Sequence, residues 1–463
     1  MISAKRLTDK TFNDYRKIEE IPATKGVTAM QTKMGIIADD LTGSNDSGVQ
    51  LAKKGFNSTV VMDIDINVHS HTDVLIVDTD SRGKTEEAAY EAVSKAASLL
   101  FQQGFNHVYK KVDSTLRGNI ASELASLADV YQPEAVVVAP AFPKLNRTTL
   151  NGKHYVDGQL ITETEFGRDP KTPVIESYIP DLLKETVKDK IILLNASLLR
   201  GPKDEVFSFI EKELRSGIAW FVCDAETEAD LERIARIFAS LEKKTVWAGS
   251  GGLIDYLPEA LQLDPVIGQQ REEISIRQTL IVSGSLSQVT KSQLESLQRA
   301  ERSYFIEVNP VDLVKDSLNI DSLLKEAGNA EEDSQFILYV NSSEENRMLA
   351  KDAGAAENLT ANQVSERIAS GLGKAARIFL EKAGKIDGLI LTGGDTAKAV
   401  CQELGVSEME LLSEVEPGLP FGRIKSGARN YWAVTKAGGF GKEDSLMNAV
   451  NYMIERVEKC ESK

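Results

Sequence analysis

The chain has 463 residues, enough for two or three domains with sizeable cores, and 42% hydrophobic with 27% charged residues describes an ordinary globular protein rather than a disordered one. With 54 basic against 70 acidic side chains the net charge is −16, which repels a phosphate backbone and argues against bulk electrostatic binding to nucleic acid. Three scattered cysteines (Cys223, Cys401 and Cys460) form no CxxC pair, so neither a disulfide scaffold nor a thiolate zinc site is expected, and a reducing cytoplasm is.

Residues 1–33 mix charge with polarity and lack an apolar leader core; they read as a peripheral or artefactual extension, with Met30 or Met34 as alternative starts. No apolar run reaches the ~18 residues of a membrane span. Short β-branched runs then alternate with amphipathic stretches, the α/β pattern. Strands are predicted over 34–38, 58–63, 74–78, 107–112 and 135–139, with helices over 85–103 and 119–131, then strands over 190–195, 219–223 and 245–248. The stretch 257–278 loses its apolar rhythm and gains Pro, Gln and charge, a linker signature. Beyond it a second series begins, with strands over 279–283, 304–308, 336–340 and 388–391, a helix over 362–382 and another from about 443 to 457. The expected fold is therefore two α/β domains, over 34–268 and 269–463, with a cleft between them.

Three early strands end in carboxylates: Asp39 and Asp40, Asp78 and Asp80, and Asp113. In open parallel sheets ligands sit at such ends, where an Asp can accept a substrate hydroxyl's proton or hold Mg²⁺, or simply cap the next helix. In ADDLTGSNDSG, Leu41–Gly43 reads as a tight turn, with Ser44 or Asn45 capping the helix that follows. DTDSRG offers Arg82, whose planar guanidinium suits a carboxylate. KKVDSTLRGN concentrates Lys111, Asp113, Ser114, Thr115 and Arg117 in one strand-to-helix turn, a set that can recognise a small polyhydroxy acid. The long stretch after Pro140, to Pro173, looks irregular and too long for a passive connector; Arg147 and Arg168 either close over an anionic substrate or pin the loop. His69-x-His71 is a weak metal signal, His154 has no ligand partner in sequence, and all four histidines are read as non-catalytic.

In the second half, SGSLSQVT, LTGGDTAKAV and KAGGFG are glycine turns beside apolar runs, suited to cradling phosphate with backbone N–H groups. Gly393, Gly394, Asp395 and Thr396 end a strand and open a helix, where the dipole favours an anion; Thr396 can bond a phosphate oxygen and Asp395 can reach Mg²⁺. WAGSGGL, from Trp247 to Leu253, reads as structural or as a hinge. No Walker motif exists in the chain.

Taken in order, IADDLTGSNDSGVQLAKKG, DTDSRG, KKVDSTLRGN, APAFPKLNRTTLNG, EFGRDP, VSGSLS, LTGGDTA and KAGGFG resemble the four-carbon acid-sugar kinase family over about Met34 to Gly441. The resemblance implies an N-terminal substrate-binding and a C-terminal nucleotide-binding domain, with ATP phosphorylating the terminal hydroxyl of a C4 sugar acid. TGSNDSGVQLAKKG is most similar to the D-threonate branch, with D-erythronate or a 3-oxo-tetronate as alternatives. It also implies substrate contacts at Asp39, Asp40, Arg82, Lys111, Asp113, Ser114, Thr115, Arg117 and Arg147, and ATP contacts at Ser283, Ser285, Gly393, Gly394, Asp395, Thr396 and Gly439. Asp40 is the first expectation, and Asp113 the second, for the catalytic group that orients or deprotonates the terminal hydroxyl, with Mg²⁺ accompanying ATP at a site not assigned. A non-catalytic binder of acidic metabolites and an ATP-independent lyase remain rival readings. The expected partner is the small sugar acid, with no nucleic acid and no membrane, and homo-oligomerisation is left open.

Overall fold

Parallel strands with both faces covered are apolar along their whole length, and the central strands of this chain are: MGIIA, AVVVA and AWFVC are buried at every position. The structure, a computed structural model, describes residues 33–62, 72–265 except 170, 216 and 218, 276–319 except 286 and 300–302, and 334–461 except 384 and 428. The N-terminal extension, the His69-x-His71 pair and the expected boundary at 268/269 lie outside the described residues.

The first half supplies β1 (Met34–Ala38), β2 (Ser58–Val61), β3 (Val74–Asp78), β4 (His107–Lys111), β5 (Ala135–Ala139), the short β6 (Arg147–Leu150), β7 (Lys153–Val156) and β8 (Gln159–Leu160), then β9 (Lys190–Leu194), β10 (Ala219–Cys223) and β11 (Thr245–Gly249). The second half supplies β12 (Thr279–Ser283), β13 (Ser303–Glu307), β14 (Gln335–Tyr339), β15 (Gly388–Thr392), β16 (Val406–Glu414), β17 (Pro420–Ser426) and β18 (Arg429–Lys436). The helices that matter for the site are α1 (Leu41–Lys53), α2 (Glu86–Gln102), α3 (Ile120–Tyr131), α4 (Ala361–Ala383), α5 (Gly394–Glu403) and α6 (Ser445–Glu461).

Within the first half β2-β3-β1-β4-β11-β5-β10-β9 are parallel neighbours, and within the second β13-β14-β12-β15-β18 are. The hairpin β16–β17 joins the two series: β17 pairs antiparallel with β18, and β16 pairs antiparallel with β2 from Glu408 opposite Val61 to Leu411 opposite Ser58. Both α/β halves therefore share one 15-stranded sheet.

The strands β16 to β18 escaped the sequence reading. Register shifts between Val406 and Met409 and between Leu411 and Ser413 break the two-residue alternation that marks a strand, and three glutamates dilute what is left. Those glutamates are paired: Arg423 donates to Glu410 at 2.6 and 2.9 Å, Lys425 to Glu408 at 2.7 Å, and Lys53 to Glu414 at 2.8 Å.

The stretch after Pro140 is also more regular than expected, since β6, β7 and β8 form a separate antiparallel sheet. Its turns carry positive φ at Asn151 (50°) and Gly152 (74°), and again at Asp157 (49°) and Gly158 (79°). Asn-Gly and Asp-Gly are the dipeptides that tight hairpin turns require, so the signal was present in the sequence. The Gly249–Gly252 turn is buried: Ser250 caps the short helix Gly251–Ile254, and a Cβ on Gly252 would lie 2.6 Å from the Ala141 carbonyl. Its role is structural.

α1 lies against the seam. A side chain at Gly48 would collide with Leu411 of β16 and approach Ile76 of β3 to 3.1 Å. Gly48→Val should push helix and seam apart and destabilise the fold by about 1–3 kcal/mol, measured as a lower urea midpoint at unchanged slope.

Candidate functional site

Parallel register aligns the strand ends. Ala38 sits level with Asp78 on one side and with Lys111 on the other, so the turns after β1, β3 and β4 emerge together at one edge of the sheet. Arg82 is the centre of the first cluster. Its Nε and Nη2 donate to the two oxygens of Asp39 at 2.7 and 3.0 Å, and its Nη1 donates to Asp40 at 2.7 Å. Burial opposes ionisation of Asp39, but Arg82, Lys110 and Lys111 outweigh it and hold the carboxyl below the usual range.

Asp40, not Ser44 or Asn45, caps α1. Its Oδ1 accepts the Gly43 N–H at 2.8 Å, and the helix starts at Leu41 instead of after a turn. Both Asp40 oxygens are thus engaged, although burial still raises its pKa. Asp113 accepts from Arg117 Nε at 2.6 Å and from the Thr115 hydroxyl; Arg82 and Arg117 overcome its burial and hold it far below the ordinary carboxylate range. Arg147 donates to the Ser114 hydroxyl, so it reaches the turn after β4, while Arg117 also reaches Asp169 at 3.4 Å and packs over Phe166. Lys111 is different. The residue is largely buried, yet its ammonium has no hydrogen bond or ion pair with any described residue, and a Cβ on Gly43 would lie 2.8 Å from it. Lys110, by contrast, is fully buried and bound to Glu123 of α3 at 2.8 Å.

His154 supports this turn from below. Its Nε2–H donates to the Ser114 carbonyl at 2.9 Å and its Nδ1 accepts the Thr149 hydroxyl at 3.1 Å, so the ring is neutral and structural.

The second cluster lies at the ends of β12, β15 and β18, where Ser283 is level with Thr392 and Thr392 with Lys436. Gly393 has φ 96° and leads into the free N-terminus of α5, whose first turn holds Gly394, Asp395 and Thr396. Gly284 packs so closely that a Cβ there would lie 2.6 Å from Thr396 Oγ1, and Gly438 abuts the Ser285 hydroxyl. Lys436 folds back over its own turn, donating to the carbonyls of Ala437, Gly438 and Phe440 at 2.9, 3.2 and 3.1 Å. Thr290 and Gln293 bind the carbonyls of Gly438 and Phe440 as well. With those carbonyls drawn inward, the N–H groups of Gly438 and Gly439 bond to no described residue, and nothing lies within 4 Å of a Cβ on Gly439. Asp395 points outward and pairs with Lys171 at 3.2 Å.

The two clusters face each other. Asn45 donates to Thr435 at 2.8 Å, Lys398 of α5 pairs with Asp80, and Thr42 lies 3.5 Å from a Cβ placed on Gly394. Between them is a pocket of about 10 Å³, room for a single water, lined by Thr42, Asn45, Asp46, Gly394, Thr435 and Lys436 among others. Asp46 was missed in the sequence because the helix was started too late. Counted from Leu41, residues Thr42, Asn45 and Asp46 stand at i, i+3 and i+4 on one face, a polar stripe where an apolar one is usual.

Residues 34–257 match the family of the sugar-binding N-terminal domain, and residues 280–446 match that of the nucleotide-binding C-terminal domain. The chain is 33% identical to a D-threonate kinase of Salmonella typhimurium over 91% of its own length and 99% of the relative's. It is 30% identical to a D-erythronate kinase of Heliobacterium modesticaldum, over 91% and 97% of the two chains. A solved structure from Salmonella typhimurium LT2 superimposes with a TM-score of 0.75 at 22% identity, covering 90% of this chain and 98% of that one, which speaks to the fold.

Two outcomes follow from the electrostatics. Arg82→Ala leaves Asp39 buried with its fork removed and should cost roughly 3–5 kcal/mol in chemical denaturation. Burial lowers His154 to about 4, against 6.5 when exposed. The unfolded chain therefore binds the extra proton between those values, and the stability in question is complete above about pH 6.5 and lost as pH falls through about 4, to the extent of ~3 kcal/mol. The difference in unfolding free energy between wild type and His154→Gln should shrink over that window.

Proposed function

This chain belongs to the four-carbon acid-sugar kinase family, and we propose that it transfers the γ-phosphoryl group of ATP to the terminal hydroxyl of D-threonate. The observation that supports the reading is the meeting of two anion-suited edges at the first turn of α1, where Gly43 approaches Lys111 and Thr42 approaches Gly394. Lys111, whose ammonium is bonded to no described residue, stands on one side, and the α5 N-terminus with the Gly438–Gly439 N–H groups belongs to the other. The first suits the acid's carboxylate, the second the phosphates of ATP.

In this reading Lys111 and the N–H groups of Arg82 not taken by Asp39 and Asp40 hold the carboxylate. Ser114 and Thr115 and their neighbours Arg117 and Arg147 shape the subsite for the hydroxyls. Asp40 and Asp113 position the arginines. Gly393, Gly394, Thr396 and Gly439, with Ser283 and Ser285 beside them, take the phosphates. Mg²⁺ is read as the nucleotide's own counter-ion: among the described residues no cluster of three or more His, Cys, Asp or Glu could cage a metal, and Asp395 is paired with Lys171. When bound, the ion neutralises phosphate charge. The buried free thiols Cys223 and Cys401 suit a cytoplasmic enzyme.

ADP release measured across D-threonate, D-erythronate, L-threonate and the oxidised tetronates is expected to be fastest with D-threonate. A preference for D-erythronate or a 3-oxo-tetronate would move the substrate within the family, and ADP release with none of them would overturn the reading. Lys111→Met should raise KM for the acid about 10- to 100-fold while leaving KM for ATP nearly unchanged. Gly394→Val should abolish the rise in melting temperature that Mg·ATP gives the wild type.

A further inference from the structure

A hydroxyl that attacks phosphorus must give up its proton, and both carboxylates first expected to take it are committed elsewhere. Asp40 caps α1 and binds Arg82; Asp113 binds Arg117 and Thr115 and is a very weak base. Asp46 is not committed. Its carboxylate has no hydrogen bond or ion pair with any described residue, and it lines the pocket that also holds Gly394 and Lys436. It stands one helical turn beyond Thr42 on the face of α1 turned toward the nucleotide side, where Thr42 approaches Gly394. The charged groups around it are Lys111 from β4, Asp40 from the cap of its own helix and Glu414 from β16, with Lys436 of β18 across the pocket. It is thus a free carboxylate between the cation proposed for the acid and the helix end proposed for the phosphates.

We propose that Asp46 is the catalytic base of the phosphoryl transfer. The inference rests on the kinase reading above. The terminal hydroxyl oxygen forms its bond to the γ-phosphorus while the bond from that phosphorus to the β–γ bridging oxygen breaks. The electron pair leaves with ADP, and the hydroxyl proton passes to an Asp46 oxygen and from there to solvent. Asn45 beside it is held by Thr435 at 2.8 Å, which fixes this part of α1 against the second half.

The charge environment suits the task. Burial raises Asp46 to about 7, with Lys111 working against the rise and Asp40 and Glu414 adding to it. A carboxylate with that pKa is ionised above neutrality and still basic enough to accept a proton. Burial also brings Lys436 across the pocket down to about 8.

The test is kcat and kcat/KM for ADP release by the full chain between about pH 5 and 9, with whichever four-carbon acid the wild type turns over fastest. The wild-type kcat is expected to rise with pH through about 7. Asp46→Asn should lower kcat about 10²- to 10⁴-fold and remove that rising limb, with KM for ATP and the Mg·ATP-induced melting shift unchanged. Asp46→Glu, which keeps the carboxylate but moves it, should retain a rising limb at reduced kcat. An Asn variant within about tenfold of wild type, or one that keeps the limb, overturns the assignment while leaving the kinase reading intact. A fall in kcat accompanied by loss of the melting shift would make Asp46 a structural residue and also overturns it. A wild type that releases ADP with none of the acids overturns the kinase reading and the base together.

Discussion

A charge taken out of water must be matched, and the edge of the sheet after β1, β3 and β4 is organised by that demand. Arg82 binds Asp39 with a fork and Asp40 with a third bond, Asp113 is matched by Arg117, and Lys110 by Glu123. Each match fixes a turn. The result is that most of the carboxylates at this edge are committed, and two groups bonded to no described residue stand out: Lys111 beside the first turn of α1, and Asp46 one turn further along that helix. Pairing therefore does two things at once. It holds the three strand-end turns in register, and by elimination it marks the groups free to meet a ligand.

The second half solves a different problem. It has to offer positive electrostatic potential without a row of basic side chains, in a protein whose overall charge is −16. It does so with main chain. The α5 N-terminus and the turn after β18 present N–H groups, and Lys436 at the end of β18 turns inward to hold three carbonyls out of the way. Glycine is needed at Gly393, where φ is 96°, and at Gly284, where a side chain would meet Thr396.

Much of this was legible in the sequence. The buried parallel strands were placed within a residue or two because an uninterrupted apolar run has few other uses, and the polar motifs at their ends marked the edge where ligands meet α/β sheets. What could not be read there was partnership. Arg82 looked like an open clamp because nothing in DTDSRG says that two aspartates forty residues away lie beside it. Asp46 went unremarked because Ser44 or Asn45 was expected to cap the helix; with Asp40 as the cap, Thr42 joins the helix one turn before Asp46 and the polar stripe appears. The strands β16 to β18 were hidden by bulges and paired charge, and the hairpin of β6 and β7 by a length of loop that distracted from its Asn-Gly turn.

The seam between β16 and β2 has a mechanical consequence. The two halves belong to a single hydrogen-bonded fabric, so any movement of one against the other deforms that fabric. Parting such a sheet would break ladder hydrogen bonds whereas twisting it keeps them, and the β16–β17 ladder is least regular at its two register shifts, next to the four residues that pair with β2. Any hinge between the halves therefore has to work through that short ribbon.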